Sequence, residues 1–236
     1  MSTILEIKGL RGGYIPGVEI LQGIDLCLQQ GEAVGIIGLN GSGKSTLGKA
    51  VMNMIPLRQG EIVYEGRPVT HLPTNELARN GIAIMQQGGQ VFRDLSVWDN
   101  LQLAFGKQSD DTSFSVLKTI IPLLTAPKKV LQHKMADKLS GGQRHQLALA
   151  MTLARRPRLL ILDEPSAGLS PKAVEEMYKQ LEQIRHLWKC TILLIEQNIY
   201  KAINFCDRSL LLEQGIVNYN FTGEEIRNIE YIMFKK

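Results

Sequence analysis

The sequence predicts an α/β fold: a core of mostly parallel sheet, an N-terminal antiparallel β layer, and an inserted helical lobe at roughly 90–155. Three observations predict it. Strand-length apolar runs recur at 158–163, 191–195 and 209–212 with helical patterns between them, the alternation that parallel strands and crossover helices require. Short strands separated by glycine turns crowd the N-terminal part, the pattern of an antiparallel layer. Between these regions a glycine-rich loop joins a buried strand to a helix at 38–46. A single domain over 1–236 accommodates all of it.

Taken in order, residues 4–10, 20–28, 33–38 and 61–64 read as the N-terminal strands, and 81–86 as one more. Residues 44–54 read as a helix ended by Pro56. From 96 to 154 the pattern is mostly helical, with breaks at Pro122 and Pro127 and a helix over 141–155. The helix over 171–188 shows its period plainly, because Val174, Met177, Leu181 and Ile184 form one apolar stripe.

The loop reads Gly38-Leu39-Asn40-Gly41-Ser42-Gly43-Lys44-Ser45-Thr46, which satisfies G-x-x-x-x-G-K-[ST] in its strand–loop–helix setting. Gly41 and Gly43 can take backbone angles closed to other residues, so successive N–H groups can turn inward onto phosphate oxygens. The positive end of the following helix adds to that field. Lys44 would bridge the outer phosphates and the Ser45 hydroxyl would ligate magnesium. A glycine turn before a helix is the plain alternative, but the placement after a buried strand favours a P-loop NTPase core that binds a nucleotide with Mg2+.

Hydrophobic residues are 44% of the 236-residue chain and charged residues 21%, an ordinary globular balance. The net charge of +4 is spread without any block of like charges, which argues against a nucleic-acid partner. The apolar runs at 159–162 and 192–195 are too short to span a bilayer, and no charged-then-apolar leader opens the chain, so a cytosolic location is expected. Cys27, Cys190 and Cys206 lack metal-ligand spacing and read as buried thiols in a reducing compartment. The histidines at 71, 133, 145 and 186 show no paired spacing, so no metal chemistry beyond magnesium is expected.

Downstream lie Leu139-Ser140-Gly141-Gly142-Gln143 and Leu159-Leu160-Ile161-Leu162-Asp163-Glu164. With the phosphate loop, these make the chain resemble an ATP-binding cassette (ABC) ATPase over nearly its whole length. The resemblance implies head-to-tail pairs, each ATP held between one subunit's phosphate loop and the other's signature at 139–143. Ser140 followed by two glycines at a helix start would offer a hydroxyl and bare N–H groups to a γ-phosphate. Ser140 and Gln143 also fit a capping box, and the serine can serve both purposes. Asp163 would hold magnesium through water and Glu164 would act as general base on the attacking water. The resemblance places a glutamine that reaches magnesium and the water at Gln87, with Gln86 beside it as the competing choice. It matches Tyr14 to the aromatic that stacks on adenine, against plain packing of a tyrosine in a strand.

Two departures narrow the resemblance. After Pro165 the chain reads Ser166-Ala167-Gly168-Leu169-Ser170-Pro171, with serine where the family usually has aspartate. Both cap helices, and Pro171 suits the first helical position. Gln197 stands where many relatives carry a switch histidine; it can donate to a γ-phosphate but cannot become cationic. Together with Gln87-Gly88 and Val91-Phe92, these resemble the ATPases of branched-chain amino-acid importers. That implies a second ABC ATPase subunit as partner, identical or different, transmembrane permease subunits, and indirectly a solute-binding protein. The expected location is then the cytoplasmic face of the membrane, peripherally attached. The docking surface is expected near 88–98, where Val91, Phe92 and Leu95 compete with ordinary core packing. A soluble assembly ATPase of the iron–sulfur type shares every nucleotide motif. A P-loop kinase fits less well because of 139–143, and a GTPase lacks an Asn-Lys-x-Asp base reader.

Overall fold

The computed structural model describes residues 2–106 and 111–222. The chain divides into two compact units, one running from the N-terminus to Leu77 and from Thr191 onward, the other Ala78–Cys190. The second unit is wider than the predicted 90–155 lobe, because it also takes in a strand pair and a long helix. The single-domain expectation over 1–236 includes 107–110 and the two ends of the chain, which lie outside the described residues.

In the first unit, β1 (Thr3–Gly12), β2 (Leu21–Gln29), β4 (Leu57–Tyr64) and β5 (Arg67–Pro68) form an antiparallel sheet in the order β2-β1-β4-β5. β2 alternates buried and outward-facing residues, as a sheet covered on one face must. β3 (Ala33–Ile37) differs: all five residues are buried, and it pairs in parallel with β8 (Thr191–Glu196) and β9 (Arg208–Glu213). β10 (Ile216–Thr222) returns antiparallel on β9. Arg208, near the start of β9, pairs with Glu32 at 2.6 Å and donates to the Cys27 carbonyl, while Asp207 accepts the Ala33 N–H at 2.8 Å. The β3 entry is thus fixed by charge as well as by ladder bonds.

α1 (Lys44–Val51) follows the phosphate loop. It stops three residues short of the predicted end, because Asn53 turns to a φ of 51° and gives its amide to the Val69 and Leu72 carbonyls. α2 (Thr74–Arg79) closes this part, and α8 (Ile199–Phe205) follows β8.

The second unit pairs β6 (Ile82–Met85) in parallel with β7 (Leu159–Asp163). Around them run α3 (Val97–Phe105), α4 (Asp111–Ile120), α5 (Lys128–His133), α6 (Gly141–Leu153) and α7 (Pro171–Trp188). Pro122 and Pro127 each open a short helical turn rather than continue one, consistent with proline's missing N–H. Serine caps three of these helices: Ser96 before α3, Ser140 before α6 and Ser170 before α7. The α7 stripe of Val174, Met177, Leu181 and Ile184 is buried as its period predicts, joined by Gln180. β10 went unforeseen, although Ile216, Tyr219 and Phe221 follow a Gln214-Gly215 turn with strand-forming side chains.

Candidate functional site

Parallel register decides which loops meet. Ile37 pairs with Glu196, so Gly38 and Gln197 leave neighbouring strands at one carboxyl edge of the first unit, the edge where open α/β sheets bind ligands. In the second unit Met85 pairs with Leu162. Extending that register by one residue sets Gln86 beside Asp163; extending it by two sets Gln87 beside Glu164.

The phosphate loop is shaped for an anion. Gly41 and Gly43 take φ of 80° and 104°, as the motif predicts. α1 starts with Gly43 as its N-cap, no side chain caps it, and its first turn carries no acidic residue. Its positive end is left to whatever lies in the loop. Lys44 is 4% exposed and folds back, its Nζ donating to the Gly38 and Leu39 carbonyls at 2.9 Å each. The ammonium is therefore folded back over the loop, within reach of two of its carbonyls. Ser42 and Thr46 are buried, Ser45 half-buried, and Leu39, Asn40 and Gly41 exposed. Tyr14 lies in a bend beyond β1, not in a strand, and is 47% exposed with Lys49 Nζ 5.6 Å from its ring centroid. Packing does not account for so open a ring. Gln197 is exposed just past β8, and Asn198 caps α8 through its side chain.

In the second unit Gln87 Nε2 donates to Glu164 Oε2 at 2.7 Å. Of the two glutamines it is the second whose side chain meets the carboxylate, as the register requires. Asp163 ends β7 at 3% exposure. Glu164 takes a φ of 46°, a conformation a non-glycine residue holds only where the surroundings fix it. Gly89, at φ 57°, brings the loop after Gln87 against α6: a Cβ there would meet Ala148 Cβ at 3.1 Å and His145 Cα at 3.6 Å. His145 is buried, and burial lowers its pKa while a hydrogen bond at Pro165 opposes that. Sequence reading passed over His145 because a lone histidine on a helix carries no spacing signal.

The signature segment forms the full capping box: Gln143 N–H donates to Ser140 Oγ at 3.2 Å, and Gln143 Oε1 faces Ser140 N–H at 3.4 Å. A Cβ added at Gly141 or Gly142 would meet nothing within 4 Å. The chain's own packing does not call for glycine at either position.

The predicted docking segment is a braced platform. Asn100, fully buried, accepts the Phe92 N–H at 2.8 Å and donates to the Phe92 and Ser96 carbonyls at 2.9 Å each. Residues 93–97 bond along 134–137 through Val97 N to Lys134 O and Ala136 N to Leu95 O. Phe92 stands 56% exposed, with Val91 and Leu95 half-buried, so this is surface rather than core.

Among the described residues no group of three His, Cys, Asp or Glu could hold a metal, and no helix is long and apolar enough to cross a membrane.

Residues 21–167 match the ABC transporter family. A probable branched-chain amino acid transport ATP-binding protein of Archaeoglobus fulgidus is 35% identical over 236 residues, spanning 99% of this chain and 97% of that protein. The lipopolysaccharide export system ATP-binding protein of Escherichia coli K12 is 31% identical over 234 residues, spanning 98% of this chain and 95% of that protein. A solved structure from Clostridium perfringens, part of an ABC transporter complex, superposes with a TM-score of 0.82 at 27% identity, over 100% of this chain and 94% of that one.

Proposed function

This chain belongs to the ABC transporter family as an ATP-binding subunit that hydrolyses ATP, and on that premise we propose that it powers import of branched-chain amino acids or a similar small polar solute. The observation that carries the catalytic reading is the Gln87–Glu164 hydrogen bond of 2.7 Å, which joins the two side chains expected to handle the attacking water. Two subunits would pair head to tail, the loop 38–46 of one facing 139–143 of the other. The uncapped start of α1 and the bare Gly141 and Gly142 both support that arrangement.

In this reading Lys44 leaves the Gly38 and Leu39 carbonyls for the outer phosphates, and the amides of 39–46 line the rest. Tyr14 stacks on adenine. Ser140, with Gly141, Gly142 and Gln143, closes the second subunit's ATP. Ser45 and Gln87 are the side chains that would ligate magnesium, with Asp163 assisting through water, and the ion would offset phosphate charge. Glu164 takes the proton from water, and Gln197 holds the γ-phosphate by hydrogen bonding alone. Phe92, on its braced segment, would dock on a membrane-embedded permease at the cytoplasmic face. The whole chain then acts as a single ATPase domain. The Archaeoglobus relative's name supports an amino-acid cargo.

Glu164→Gln is the test of mechanism. It should bind ATP as the wild type does and accumulate ATP-stabilised dimers in gel filtration. Hydrolysis should fall by about two to four powers of ten, the usual contribution of a general base. Undiminished turnover would remove Glu164 as the base. For cargo, vesicles carrying the chain with its cognate permease should take up leucine only with ATP inside the cytosolic compartment; ATP-driven export of a lipid would overturn the import reading.

A further inference from the structure

Two hairpins of the first unit turn on the same backbone geometry. Glu65-Gly66 joins β4 to β5 between the paired residues Tyr64 and Arg67, and Gln214-Gly215 joins β9 to β10 between Glu213 and Ile216. Their φ values match, 49° and 74° in the first turn against 48° and 79° in the second, left-handed throughout as a type I′ turn requires. The surroundings of the glycine differ. A Cβ at Gly66 would meet nothing within 4 Å, whereas one at Gly215 would run into the Ile20 carbonyl. The turn alone accounts for Gly66; a close approach also demands Gly215.

That approach ends on the phosphate loop. Gly215 N–H donates to the Ser42 carbonyl at 2.9 Å, and the Gly215 carbonyl accepts the Gln22 N–H at 2.9 Å. The Ser42 Oγ is buried without a hydrogen-bond partner. A cavity of about 460 Å³ is walled by residues 39–42 of the loop and by 211–214, Ile216 and Asn218 of the hairpin. Along that stretch a backbone bond, rather than side-chain packing, meets the loop. A trans peptide is planar, so its C=O and the following N–H point in opposite directions. With the Ser42 carbonyl held on the hairpin, the Gly43 N–H points away from it. Gly43 stands at φ 104° but tolerates either sign, so without the bond this peptide could turn over at small steric cost.

We propose that Gly215 is a positioning residue for nucleotide binding: its N–H holds the Ser42–Gly43 peptide so that the Gly43 N–H faces the phosphate in the loop. The inference rests on the proposed phosphate-binding role of residues 38–46. The Gln22 bond steadies Gly215 from β2, which makes the hairpin tip a strut between the antiparallel sheet and the loop.

The test compares Gly215→Ala with Gly66→Ala in the full chain, measuring Tm and the Kd of magnesium ADP and ATP with fluorescent analogues. The turns share their angles, so both substitutions carry backbone strain and should lower Tm by about 2–8 °C. Only Gly215→Ala should weaken both nucleotides, by about tenfold or more, the worth of one charge-assisted hydrogen bond. Gly66→Ala should stay within twofold of wild type. A semisynthetic full chain joined at Cys206, with glycolic acid in place of Gly215, deletes the N–H alone and should also lose about tenfold in affinity. If Gly215→Ala does not fold, the ester decides alone. Wild-type affinity in either folded variant, or an equal loss in Gly66→Ala, overturns the proposal. Wild-type protein that binds neither nucleotide would instead refute the phosphate-loop reading on which it rests.

Discussion

The starts of α1 and α6 are both glycine-led helix N-termini that the proposed mechanism aims at the same triphosphate, yet they are built on opposite plans. α1 has no side-chain cap, left-handed glycines before it, and a buried lysine held in reserve by two carbonyls. α6 is closed by a reciprocal Ser140–Gln143 box, and its glycines have ordinary helical angles with open space around them. The first terminus depends on a ligand to complete it. The second is complete in the free chain and must open its serine outward to receive one. On the proposed mechanism, a subunit built this way would hold nucleotide alone and commit to a partner only afterwards.

Lys44→Ala breaks the comparison hardest. Each charge-assisted contact to phosphate contributes ~1.5–3 kcal/mol, so two lost contacts weaken ATP binding by about two to four powers of ten. Titration with a fluorescent ATP analogue should show this, along with some loss of Tm because the Gly38 and Leu39 carbonyls lose their donor. Unchanged affinity would mean that the lysine never leaves its stored position.

Gly142→Ala sharpens the contrast from the other side. A helical glycine costs roughly 0.5–1 kcal/mol relative to alanine, and here the added methyl meets nothing. Tm should rise by ~2 °C in a chain of this size. Hydrolysis should nonetheless fall at least tenfold, because the methyl would stand where the partner's phosphate approaches. A variant that is both more stable and fully active would show that the bare face receives no ligand.

These outcomes depend on how far the sequence could be read. Both termini were visible because their motifs are local: Gly38 to Thr46 and Leu139 to Gln143 each carry their chemistry within one turn of chain. Parallel alternation likewise exposed β7, β8 and β9, but β3, grouped in the sequence reading with the N-terminal antiparallel strands, pairs in parallel among them; the continuous apolar runs of all four mark strands buried on both faces. What stayed hidden was register. Whether Gln86 or Gln87 meets Glu164 depends on the pairing of Met85 with Leu162, residues far apart in sequence. The end of α1 depended on Asn53 finding the Val69 and Leu72 carbonyls, again a non-local event.

The smallest effect separates the two termini by acid. Burial holds the His145 pKa below its ordinary 6.5, the Pro165 hydrogen bond only partly opposing it. The folded chain therefore takes up this proton less readily than the unfolded chain does. Stability from this source is complete above about pH 6.5 and is lost as pH falls through the folded value. Protonation would also give the buried Nε2 a hydrogen with no acceptor near it. Amide exchange followed from pH 7.5 down to 5.5 should show residues 141–150 losing protection in the wild type. His145→Phe, which cannot titrate, should lose less over the same range, and α1 should respond alike in both proteins. Equal acid loss at α6 in the two proteins would place the sensitivity in other groups and leave His145 neutral throughout.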